Sequence, residues 1–77
     1  ELPKGGQTMY RISAFRGDKG TRYVRMGQYF HDMLTYEDAT VFASLEEAMD
    51  AYNELHACQR YEDEETHWAY AIVPCEN

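Results

Sequence analysis

The sequence predicts a small α+β domain: a three- to four-stranded antiparallel sheet with one amphipathic helix packed on one face. Three observations carry that prediction. Apolar residues alternate with a strand period over 9–16 and again over 21–30, on either side of the turn cluster Gly17-Asp18-Lys19-Gly20. Ser44 stands three residues before Glu47 at the head of a helical apolar series. Residues 67–73 alternate once more and meet Pro74.

Taken in order, residues 1–8 read as a flexible leader. Leu2-Pro3-Lys4-Gly5-Gly6-Gln7 has linker composition, and Met9 reads as the natural start of a single domain over 9–77. Tyr10, Ile12 and Ala14 oppose Arg11, Ser13 and Phe15 in the first strand; Val24, Met26 and Phe30 oppose Tyr23, Arg25 and Tyr29 in the second. The glycines of the turn, Gly17 and Gly20, are free to take positive φ. Residues 31–36 suit either a strand or a loop, Glu37-Asp38 marks a turn, and Thr40-Val41-Phe42 is a short β-prone run.

The helix is expected from Ser44 to about Cys58, with Leu45, Ala48, Met49, Tyr52 and Leu55 on one face. Glu62-Asp63-Glu64-Glu65 reads as an acidic loop. In the last strand Trp68, Tyr70 and Ile72 oppose Ala69, Ala71 and Val73; apolar on both faces, it is expected to be central and to end at Pro74. The order is β-β-(β)-α-β, and one helix across an antiparallel sheet buries both apolar surfaces.

Composition bounds the function. Seventy-seven residues build one core of modest size. A 44% apolar content excludes a disordered tail, and no run of about 18 apolar residues offers a membrane span. No charged-then-apolar leader precedes Met9, and Cys58 and Cys75 are too few for a disulfide framework. Free thiols in a reducing cytoplasm are expected, with one bridge as the alternative.

Charge is distributed unevenly. The net charge is −7, from 14 acids and 7 bases. Residues 9–25 carry five bases against Asp18 alone, a balance of +4, while residues 26–77 carry twelve acids against Arg60 alone, a balance of −11. Glu46, Asp50 and Glu54 recur every four residues, Glu47 lies beside them, and no Lys or Arg occupies 45–58. Exposed helices ordinarily mix signs, because each Glu–Lys pair four residues apart contributes a few tenths of a kcal/mol. This helix forgoes that stabilisation. Four helical residues rise about 6 Å, within reach of the phosphate spacing of a nucleic-acid strand, roughly 3.4 Å per step along the axis.

In its size, acidity, tyrosine content and the charge plan of Tyr29–Glu65, the chain resembles phage-encoded inhibitors that mimic DNA. These include gyrase inhibitors of the Igy type, restriction-enzyme inhibitors and some anti-CRISPR proteins. The resemblance rests on no sequence motif and carries no residue over. It implies a cytoplasmic, non-enzymatic protein that blocks the basic groove of a host DNA-processing protein. The expected contact charges are Glu46, Glu47, Asp50, Glu54, Glu62, Asp63, Glu64 and Glu65, with Tyr52 or Tyr61 as an aromatic anchor. No cofactor, metal or membrane is expected. A basic hairpin departs from wholly acidic mimics; it suggests a homodimer in which the hairpin pairs with the acidic face of a second copy.

Other readings compete. A small dimerising adaptor domain is the principal alternative. A single-strand nucleic-acid platform would use Arg11, Arg22 and Arg25 with Phe15 and Tyr23, against repulsion from the acids elsewhere. Arg16-Gly17-Asp18 spells a cell-adhesion tripeptide but reads as a turn. His56, Cys58, His67 and Cys75 are too scattered for a zinc site, and Glu62–Glu65 lacks the ordered calcium-loop pattern. No nucleophile motif appears; His31-Asp32 are sequence neighbours, which does not make a dyad, and a carboxylate pair such as Glu47 and Asp50 lies on a helix face expected to be exposed, where burial does not tune it.

Overall fold

Alternation and capping produce the expected class. The computed structural model describes residues 8–28, 31–60 and 63–76. It holds strands β1 (Thr8–Arg16), β2 (Gly20–Met26) and β3 (His31–Leu34), helix α1 (Leu45–Gln59), a single 3-10 turn (Glu64–Thr66) and strand β4 (Ala69–Glu76). The four strands form one antiparallel sheet in the order β3-β2-β1-β4.

The β1–β2 hairpin is tight. The Lys19 amide donates to the Arg16 carbonyl at 3.0 Å, and Gly20 takes φ +78. Only Gly20, not Gly17, uses the left-handed freedom that both offered. β1 begins at Thr8, opposite Glu76, one residue ahead of the expected domain start.

Four expectations need correction. The third strand is His31–Leu34, the ambiguous stretch; Thr40–Phe42 forms instead a single bridge. Phe42 exchanges both backbone bonds with Tyr10, and the Thr40 amide reaches the Val24 carbonyl while its hydroxyl accepts from the Met26 amide. This segment fills the wedge where β1 and β2 diverge beyond Ser13↔Tyr23. Next, β4 is an edge strand and not a central one. It also runs through Pro74. Tyr10 spends its N–H and C=O on Phe42, so the Tyr10↔Pro74 pair carries no ladder bond, and the proline nitrogen points to the free edge.

The last correction concerns the helix. Ser44 caps it, its hydroxyl accepting from the Glu47 amide at 3.2 Å; among the described residues the return bond from the Glu47 side chain is not made. The buried positions are Ala48, Ala51, Leu55 and Gln59, with Tyr52 half-buried, and the helix ends at Gln59 rather than Cys58. Leu45 and Met49, expected on the core face, are 48% and 49% exposed. Two alanines at the contact let the helix lie close to the sheet, which rotates the buried stripe away from the bulkier Leu45 and Met49. The core gathers Ile12, Ala14, Val24, Phe42, Ala48, Ala51 and Leu55, with Tyr10, Met26, Met33, Trp68, Tyr70 and Ile72 around it.

Candidate partner-binding surface

The helix sets the geometry of the acidic surface. With Ala48, Ala51, Leu55 and Gln59 turned to the sheet, a 3.6-residue period sends Glu46 and Asp50 to the solvent side, with Glu47 and Glu54 on one flank. All four are exposed. Glu54 is not wholly free: its Oε2 lies 3.3 Å from His31 Nε2, which tethers that flank to β3. Glu46, Glu47 and Asp50 have no cationic partner among the described residues.

The other flank is apolar and aromatic. Leu45 and Met49 are exposed there, and Tyr52 and His56 follow. Tyr52 packs against the core and meets His56 with ring centroids 4.6 Å apart; His56 in turn meets Tyr70 edge-on at 5.6 Å. Tyr52 therefore offers a partner only part of its ring. Tyr61 and Glu62 lie outside the described residues.

Asp63, Glu64 and Glu65 are exposed at the 3-10 turn, where the Thr66 hydroxyl and amide both donate to the Asp63 carbonyl. The turn follows the helix C-terminus, so it does not extend the Glu46–Asp50 row side by side. It sits instead at the hairpin end of the sheet, because Ala69 pairs with Phe15, next to the turn. The seven predicted acids among the described residues thus fall into two groups, one along the helix and one at the end bearing the basic hairpin.

The hairpin charges are divided among distinct environments. Arg16 grips Asp18 through Nε (3.0 Å) and Nη2 (2.8 Å) and lies 5.3 Å over the Trp68 ring. The adhesion-like tripeptide is therefore a self-paired turn. Desolvation pushes the Asp18 carboxyl up, but the hydrogen bond from Arg16, its own backbone amide and the charges of Arg16 and Lys19 together outweigh it and hold the group below its ordinary value. Arg11, on the face away from the helix, is stacked under Tyr36 at 4.1 Å, and Tyr36 meets Tyr23 edge-on at 5.1 Å. Arg25 reaches the Asp38 carbonyl at 3.4 Å. Arg22 belongs to the opposite, helix-side face, across from Ala14. The residues of a base-stacking platform are thus split between two faces, with Tyr36 laid over two of them.

His31 and Asp32 point to opposite faces of β3, as neighbours in a strand must, and Glu47 and Asp50 are both solvent-facing. Cys58 is exposed and Cys75 buried, both as free thiols. Among the described residues no three His, Cys, Asp or Glu side chains are grouped to share an ion, and no helix is long and apolar enough to cross a membrane.

Sequence reasoning missed the exposure of Leu45 and Met49, the His31–Glu54 contact and the role of Gln59. The signal for the first was present: Ala48, Ala51, Leu55 and Gln59 form a stripe at spacings of three, four and four. No family model, curated protein or solved structure matches the chain. The fold and surface define a small α+β domain with an acidic helix face on which Glu46, Glu47 and Asp50 have no salt bridge among the described residues.

Proposed function

We propose that this chain is a non-enzymatic acidic binding protein: a DNA mimic that inhibits a host nucleic-acid-binding enzyme, such as DNA gyrase, a restriction enzyme or a CRISPR effector, by occupying its basic groove. The observation that carries the reading is the exposure of Glu46, Glu47 and Asp50 on one helix with no cation in a salt bridge to them among the described residues. Glu46 and Asp50 are offset by about 6 Å along the axis, close to two phosphate steps of roughly 3.4 Å each. The helix is held by a side-chain cap at one end and a buried glutamine at the other, so its backbone needs no ordering on binding and only the side chains do. Attraction between the acidic row and a basic groove makes association fast and sensitive to salt.

The test is inhibition of DNA-processing enzymes. Gyrase supercoiling, restriction cleavage and CRISPR-effector cleavage are measured with the native chain and with a Glu46→Gln, Glu47→Gln, Asp50→Asn triple variant. The reading requires that the native chain inhibit at least one of them, that excess DNA or added salt relieve the inhibition, and that the triple variant lose it. No inhibition by the native chain, or equal inhibition by the variant, ends the reading.

A further inference from the structure

The hairpin end of the molecule has no part in that function, yet it carries two exposed cations, Lys19 and Arg22, that form no salt bridge among the described residues; Lys19 acts on its neighbour Asp18 through its charge alone, and that carboxylate is already gripped by Arg16. From these charges, and from where the fold places them relative to the acidic helix, we infer that the chain binds a second copy of itself, antiparallel and helix side to helix side, with Lys19 and Arg22 of each copy against Glu46, Glu47 and Asp50 of the other.

Position makes the pairing closed. The helix C-terminus is tied through Gln59 to Trp68, one residue before the Ala69↔Phe15 pair, so it lies at the hairpin-turn end. The helix N-terminus follows Phe42, which bridges Tyr10 at the far end of β1. Tyr10 and Arg16 stand about 20 Å apart along the strand at roughly 3.3 Å per residue. Lys19 and Arg22 therefore stand at one end of the strands and the helix acids Glu46, Glu47 and Asp50 toward the other, while Asp63, Glu64 and Glu65 lie at the hairpin end on the β4 side. A two-fold axis perpendicular to the strands places Lys19 and Arg22 of each copy on the other copy's helix acids, and both contacts form at once. Arg22 shares the helix-side face, across from Ala14, so the two charge sets need no face change to meet. Exposed Leu45 and Met49 beside the acids supply the apolar contact that charge alone lacks.

The sheet edge is a poorer route. At β4, Gln59 already occupies the backbone of Trp68, and Pro74 has no N–H to give. The face away from the helix exposes Phe15, Ala69 and Ala71, but its exposed charges Arg25 and Asp32 already stand opposite each other in register.

The experiment is sedimentation velocity with light scattering at low ionic strength on the native chain and two reversals. One carries Lys19→Glu and Arg22→Glu; the other carries Glu46→Arg and Asp50→Arg. All four positions are exposed, and circular dichroism confirms that each variant is folded. The native chain is expected at twice the monomer mass, shifting toward monomer as salt rises through the range where the screening length falls to about 8 Å. Each reversal alone is expected to be monomeric. Mixed in equal amounts, the two should form a heterodimer, because every contact then joins opposite charges. A native chain that stays monomeric at all concentrations, a reversal that still dimerises, or a folded pair that fails to associate overturns the inference. The Lys19→Glu, Arg22→Glu variant keeps its acidic helix. If it still inhibits a DNA-processing enzyme while monomeric, self-association and inhibition are separate properties, and the loss of either leaves the other standing.

Discussion

Gln59 and Trp68 are paired as if the glutamine side chain were one residue of a neighbouring strand. Its Nε2 donates to the Trp68 carbonyl at 2.9 Å, and its Oε1 accepts from the Trp68 amide at 2.6 Å. Continuing the register of β4, those backbone groups point to the free edge of the sheet, because Trp68 falls opposite Arg16. A buried amide at the last position of the helix thus satisfies itself and closes an open edge in one contact. It also fixes both ends of the acidic turn between α1 and β4.

Replacing Gln59 by Ala leaves the Trp68 amide and carbonyl, both partly buried, without partners. An orphaned pair of this kind costs about 1–3 kcal/mol. Urea unfolding is expected to show a loss of that size. Hydrogen exchange at the Trp68 amide should quicken by more than global destabilisation explains. An unchanged exchange rate at Trp68 would mean that the pairing does not persist in solution.

The rotated helix face is tested by comparing two apolar positions. Leu55 is 2% exposed within the core cluster, and its change to Ala is expected to cost about 2–5 kcal/mol. Met49, half-exposed, is expected to lose no more than about 0.5 kcal/mol on the same change. Comparable losses at the two sites, measured by chemical denaturation, would restore Met49 to the core.

Much of this fold was legible in the residues, for reasons that also mark where legibility stopped. The hairpin was readable because period two and a glycine turn are local signals, and the helix start because Ser44 and Glu47 are three residues apart. The role of β4 was not readable. Apolar residues on both its faces suggested a central strand, but Pro74 is tolerated because the Tyr10–Phe42 exchange leaves the Tyr10↔Pro74 pair without a ladder bond, a relation across distant segments. The candidate surface divides in the same way. That Glu46 and Asp50 share a helix face follows from spacing alone. That Glu54 meets His31, and that Asp63–Glu65 turns toward the basic end, depends on how the chain returns to the sheet.

At the hairpin turn, the depressed Asp18 carboxyl gives a pH dependence with a definite sign. A carboxylate whose folded-state value lies below its unfolded one contributes stability that is fully present above the unfolded value and lost as pH falls through the folded one. The turn should therefore weaken only in acid. An NMR titration of the Asp18 side chain is expected to give a midpoint below that of the unfolded chain, and Arg16→Gln should move it back up. A midpoint that ignores the Arg16 change would show that the bidentate contact is not populated.

Pro74 and Gln59 act on the same edge, and the proline can be tested alone. Its nitrogen faces away from β1, so Pro74→Val breaks no bond of the sheet and adds one N–H to the open side of β4. Valine suits a strand better than proline, so unfolding free energy is expected to change by no more than about 1 kcal/mol. The edge, however, gains a donor in line with the Ile72 backbone and becomes a better template for another strand. Light scattering at rising concentration should show salt-insensitive association in the variant that the native chain lacks. This separates it from the charge-dependent pairing through the helix, which salt weakens. A variant that loses several kcal/mol instead would mean that Pro74 stiffens β4 and does not guard its edge.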